Sequence, residues 1–170
     1  MNLKRIVVSL MLCAVTCGVA SAKNFELRND KVKVVVGKGG ELVELVNLTT
    51  GHNYASGGYL WRMYYDTHEE QEIEIIGGEQ SPKVQCDGES ISLFYDKLVV
   101  RGEKLDVQLR LMITIEGEDI RFASEVQNGV AHTVIRELQY PLVRNAQIPD
   151  DHNLITAYEG GRFYENPAKA

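Results

Sequence analysis

Apolar and polar residues alternate with period two along most of this chain, and no segment carries a sustained helical period. The clearest run is "KLDVQLRLMITIEG", in which Leu105, Val107, Leu109, Leu111, Ile113 and Ile115 fall on one side. Asp106, Gln108, Arg110, Met112, Thr114 and Glu116 fall on the other. Such alternation is the mark of a half-buried strand, because successive side chains point to opposite faces of a sheet. "EGED" then reads as a tight turn into "IRFASEVQNG", with Ile120, Phe122 and Val126 facing inward. The two runs are expected to pair as a hairpin.

The same pattern predicts strands over Val32–Val36, Gln71–Gly77, Lys83–Gly88, Ser90–Lys97, Thr133–Val143 and Asn153–Tyr158. Turn signals separate them at Gly77-Gly78, Asp87-Gly88, Arg101-Gly102, Asn128-Gly129 and Pro149-Asp150. Beyond Tyr158, "EGGRFYENPAKA" loses the period. Many strands at short spacing without intervening helices predict an all-β, antiparallel β-sandwich in a single domain. "ELVELVNLTTGHNY" (Glu41–Tyr54) is harder, because Leu42, Leu45 and Leu48 are spaced by three. Glycines on both sides and β-branched residues within favour a strand with a bulge or bend, ending in a turn. A short helix is the alternative.

The first residues break the pattern. Lys4 and Arg5 precede an apolar run from Ile6 to Val19 and the small residues Ala20-Ser21-Ala22, the three parts of a secretory signal peptide over residues 1–22. The run is about 14 residues, short of the roughly 20 that span a bilayer, so a retained anchor is the lesser reading. Export to the periplasm or the extracellular space is expected. Loss of Lys4 and Arg5 would take the formal net charge from −6 to −8. An acidic chain without Lys/Arg clusters argues against nucleic acid and anionic membrane surfaces as partners. Cys13 and Cys17 would leave with the signal, so Cys86 could form no internal disulfide; its alternation with Val84 predicts a core-facing residue.

"FELRNDKVKVVVGKGGELVELVNLTTGHNY" followed by "YLWRMYYD" (Tyr59–Asp66) resembles the N-terminal galactose-mutarotase-like β-supersandwich of bacterial glycoside hydrolases and related carbohydrate-active proteins. Two strands, a Gly-Gly turn into Leu42 and Leu45, then Asn47, Thr50 and Gly51 and an apolar-aromatic segment with Trp61 carry the resemblance. It spans Phe25 to Tyr158 and is strongest at the start. It implies a non-catalytic sandwich that packs on a catalytic barrel absent from this chain, which ends at Ala170. A free-standing carbohydrate-binding module and a small aldose epimerase (mutarotase) are the alternatives, and a polysaccharide or oligosaccharide is the expected partner.

Sugar sites combine aromatic faces with planar polar side chains. The densest such cluster is Tyr54, Tyr59, Trp61, Arg62, Tyr64 and Tyr65. Tyr54, Tyr59, Trp61, Arg62 and Tyr64 are therefore the candidate carbohydrate-binding residues. Alternation puts Tyr59, Trp61 and Met63 on one face and Leu60, Arg62 and Tyr64 on the other. Against this stands the simpler assignment of Trp61 to the core. An epimerase would need His and Glu converging on the sugar, for which His132 with Glu125 or Glu137 are the available groups. "IPDDHN" (Ile148–Asn153) offers oxygen ligands for Ca²⁺ but reads more simply as a plain turn. No phosphate-cradling glycine loop, Ser-His-Asp order or CxxC is present, so no catalytic residue, metal or cofactor is assigned. Asn47 in "NLT" matches a glycosylation acceptor but falls on an expected strand.

Overall fold

A computed structural model describes residues 24–55, 57–144 and 146–147, together with the backbone of two further strands, Asn153–Thr156 and Arg162–Glu165. The signal segment, His152, Tyr158 and nearly all of "IPDDHN" lie outside the described residues. The fold is all-β and antiparallel, as the alternation predicts. Its strands are β1 (Phe25–Arg28), β2 (Val32–Val36), β3 (Leu42–Asn47), β4 (His52–Asn53), β5 (Arg62–Asp66), β6 (Ile73–Ile76), β7 (Lys83–Cys86) and β8 (Ser90–Tyr95). They continue as β9 (Leu98–Val100), β10 (Glu103–Leu105), β11 (Val107–Glu116), β12 (Asp119–Asn128), β13 (Val134–Gln139), β14 (Asn153–Thr156) and β15 (Arg162–Glu165).

The strands assemble into sheets of order β1-β2-β3-β4, β12-β11-β8-β7 and β13-β5-β6, with two small hairpins, β9-β10 and β14-β15. β1 lies against β7, β8 and β11, so the first sheet covers the inner face of the second. A single core fills the space between them. Leu27, Val34, Val36 and Leu42 come from one side, and Ile91, Leu93, Tyr95, Leu109, Leu111 and Ile113 from the other. Met63, Tyr65 and Ile75 of the third sheet close it.

The β11–β12 hairpin pairs in unbroken register from Val107↔Asn128 to Glu116↔Asp119 around Gly117-Glu118. Gly117 has φ 65, which the first position of a tight two-residue turn requires. The predicted continuous run from Leu105 is interrupted at Asp106, and Leu105 belongs to β10.

The leucine triplet resolves as a bulge. Val35 pairs with Glu44 but Val36 pairs with Leu42, so Val43 is an extra residue on β3. The insertion shifts the phase by one. Leu42 and Leu45, three apart, therefore both face the core beside Val36 and Val34. Asn47 then ends the strand: its Oδ1 accepts from the Thr49 and Thr50 amides, and its carbonyl accepts from Gly51 N–H at 2.8 Å.

Two expectations are corrected. Cys86 shares the inner face with Ile91 but is exposed, because β7 is the edge strand and the core ends there. Leu60 is fully buried rather than outward with Arg62, because β5 begins only at Arg62 and alternation does not reach back to it.

One buried polar side chain organises the β9 edge. The Gln80 amide donates to the Val99 carbonyl at 2.9 Å and accepts from the Val99 N–H at 2.8 Å.

Candidate functional site

The structure distributes the five sequence-nominated residues over separate environments. Trp61 has no exposed surface and packs edge-on against Tyr95, with ring centroids 5.2 Å apart. It presents no face to a ligand. Neither its Nε1 nor the Tyr95 hydroxyl makes a hydrogen bond of normal geometry among the described residues, and burial pushes the Tyr95 phenol up to about 12.

Tyr59 is half-buried, with the Arg144 guanidinium 4.6 Å from its ring centroid and donating to its hydroxyl. Tyr54 lies at the end of the first sheet, its ring 4.6 Å from that of His52, whose Nε2 lies 2.5 Å from the Gln147 carbonyl.

Only Arg62 and Tyr64 share a surface, the outer face of β13-β5-β6. Arg62 donates to Gln139 Oε1 at 2.6 Å and to Glu74 Oε1 at 3.2 Å, with its guanidinium 5.4 Å from the Tyr64 ring centroid. Glu137, opposite Tyr64, accepts from Gln139. Beside them Arg136 forks onto Asp66 at 2.7 and 3.1 Å and reaches Glu72 at 2.7 Å. The Glu72 amide and Arg136 together hold the Asp66 carboxyl below its ordinary value. This surface is thus mostly internally satisfied. Its cations already have carboxylate partners.

A different arrangement occupies the outer face of β12-β11-β8-β7. Register places Lys83 opposite Phe94, Phe94 opposite Arg110, and Arg110 opposite Glu125, giving one row across all four strands. Gln108 and Gln127 form the neighbouring pair. Phe94, Gln108, Arg110, Glu125 and Gln127 line a groove of about 160 Å³. Phe94 also borders an adjoining groove of about 360 Å³, whose lining includes Lys83, Lys97 and Lys104. Together they are comparable to small-ligand clefts, typically ~300–1,000 Å³.

Sequence reasoning missed Phe94. A signal existed: Ile91, Leu93 and Tyr95 occupy the inward phase of β8, which leaves a large aromatic among Ser90, Ser92 and Asp96 on the wet face.

His132 sits in the turn after β12 at φ 58, and no hydrogen bond or ion pair joins it to Glu125 or Glu137. Glu125 instead accepts from Gln127. No group of three metal-ligating side chains occurs among the described residues. No helix among them is long and apolar enough to cross a membrane.

Comparison of the chain with protein-family models, curated proteins and solved structures finds no match in any of the three.

Proposed function

We propose that the chain is a non-catalytic β-sandwich module of an exported carbohydrate-active protein, and that it holds glycan on the outer face of β12-β11-β8-β7. The observation that carries this reading is the half-exposed Phe94 ring, set on a rigid sheet and flanked by Arg110, Glu125, Gln108 and Gln127. An aromatic face accepts the C–H side of a sugar ring, and planar amide, guanidinium and carboxylate groups meet its hydroxyls. A rigid strand scaffold limits the ordering cost of such binding.

The galactose-mutarotase-like identity belongs to the same proposal. It is supported by the antiparallel sandwich and by the strand, bulge and Asn-Thr-Gly turn over Leu42–Gly51. A packing role beside a catalytic barrel is less well supported. Among the described residues the exposed large apolar side chains are the scattered Met112 and Val134, which make no broad seam.

Calorimetric titration of the chain without residues 1–22 against a panel of oligosaccharides tests the reading. Phe94→Ala is expected to weaken the interaction at least tenfold, about 1.4 kcal/mol, with an unchanged circular dichroism spectrum. Equal binding by the variant, or no binding of any glycan by the parent chain, would sink it.

A further inference from the structure

We infer that the Phe94 groove selects anionic glycans, those bearing uronate carboxylates or sulfate esters; this rests on the glycan-binding reading above. The chain is acidic overall, with formal net charge −6, yet the groove gathers cations that have no partner among the described residues. Of the described cations elsewhere, Arg28, Lys31, Lys33, Arg62, Arg101, Arg121 and Arg136 are ion-paired, Arg144 is bonded to Tyr59, and Lys38 alone is unpaired. Lys83, Lys97, Lys104 and Arg110, all on the two adjoining grooves, make no ion pair or side-chain hydrogen bond with any described residue.

Their placement matters more than their number, because Glu79, Asp96 and Glu125 also line these grooves. Lys83 and Arg110 stand directly opposite Phe94 on its two neighbouring strands. Directly opposed residues have Cβ atoms about 5 Å apart. A sugar ring resting on Phe94 therefore has a cation within reach on each side. Glu125 lies one strand farther out, about 10 Å from Phe94 at ordinary strand spacing. Lys97 and Lys104 extend the positive border along the adjoining groove. Along the row that crosses the strands at Phe94, an acidic substituent on the stacked sugar therefore meets Arg110 or Lys83 before Glu125, while Asp96 lies along the chain in the turn after β8.

The test compares chains that differ only in charge. Fully de-esterified oligogalacturonate is titrated against its fully methyl-esterified counterpart, and oligomeric dextran sulfate against dextran of equal length. The acidic member of at least one pair is expected to bind ten times or more tightly, with the preference shrinking as salt rises; which pair responds separates carboxylate from sulfate as the recognised group. Lys83→Ala/Arg110→Ala is expected to abolish the preference while keeping the weaker neutral binding. Equal affinity for charged and uncharged chains overturns the inference and leaves the glycan-binding reading standing. Acidic binding unaffected by the double substitution also overturns it. Absence of binding to every chain removes both.

Discussion

Trp61 is the only tryptophan in the chain, so intrinsic indole fluorescence reports on one position. Its side chain has no exposed surface and lies against Tyr95 within the core shared by the sheets. Trp61→Ala removes the largest fully buried side chain, and the rigid strands around it can collapse only in part. Large aromatic truncations of this kind cost about 3–5 kcal/mol. At a urea m-value of about 2 kcal/mol/M, that lowers the unfolding midpoint by about 2 M. Circular dichroism is the probe for this variant, since its fluorescence is lost.

Trp61→Phe separates two opposing effects. It sheds part of the ring, but it also removes an indole N–H buried without a partner, whose desolvation costs about 1–3 kcal/mol. The Phe variant should therefore retain at least half of the stability that Ala loses. In the parent chain the emission should be blue-shifted, shift red on unfolding, and resist acrylamide quenching equally with and without saturating glycan. A solvent-like emission, glycan protection from quenching, or an unchanged midpoint in Trp61→Ala would refute the core assignment.

Three further outcomes follow from the geometry. A Cβ at Gly77 would meet Trp61 Nε1 and its carbonyl oxygen at 2.8 Å, so Gly77→Ala should cost about 1–3 kcal/mol in a thermal or urea melt. Gln80→Ala strands the Val99 N–H and C=O, and should lower stability by about 1–3 kcal/mol per group that finds no water, read from the same melts. Amides of Ser90 and Glu89 hold the folded Asp87 carboxyl below 3.8. Its contribution is therefore complete above the unfolded value and is lost as pH falls through the lower folded one. Urea midpoints measured against pH should fall on that acid limb, and Asp87→Asn, which keeps the acceptor without the charge, should flatten it.

Where a strand separates core from water along its whole length, the sequence carries the answer. β11 is such a strand, and its inward residues read directly from the alternation. The bulge at Val43 is legible too, because a spacing of three between core leucines has no explanation within a regular strand. Other features depend on position in the sheet, which no local pattern encodes. Cys86 takes the expected face but lies at an edge, and Leu60 is buried by a bend rather than by a strand. Strands β9 and β10 are three residues long, too short to show a period. The candidate site follows the same division. Trp61 drew notice because aromatics crowd around it, yet that crowding reflects the core. Phe94 is the lone aromatic on the wet face of β8 and acquires Lys83, Arg110 and Glu125 only through the register of four strands.

The Gln80 clamp has a consequence for the behaviour of the protein at high concentration. β9 pairs with β10 on one side, and the amide of Gln80 engages Val99 through the two bonds that another backbone would otherwise make. A single side chain thus impersonates a strand. The outward-facing amide pair at the middle of β9 is already taken, so a neighbouring molecule finds no free N–H and C=O there on which to begin edge-to-edge association.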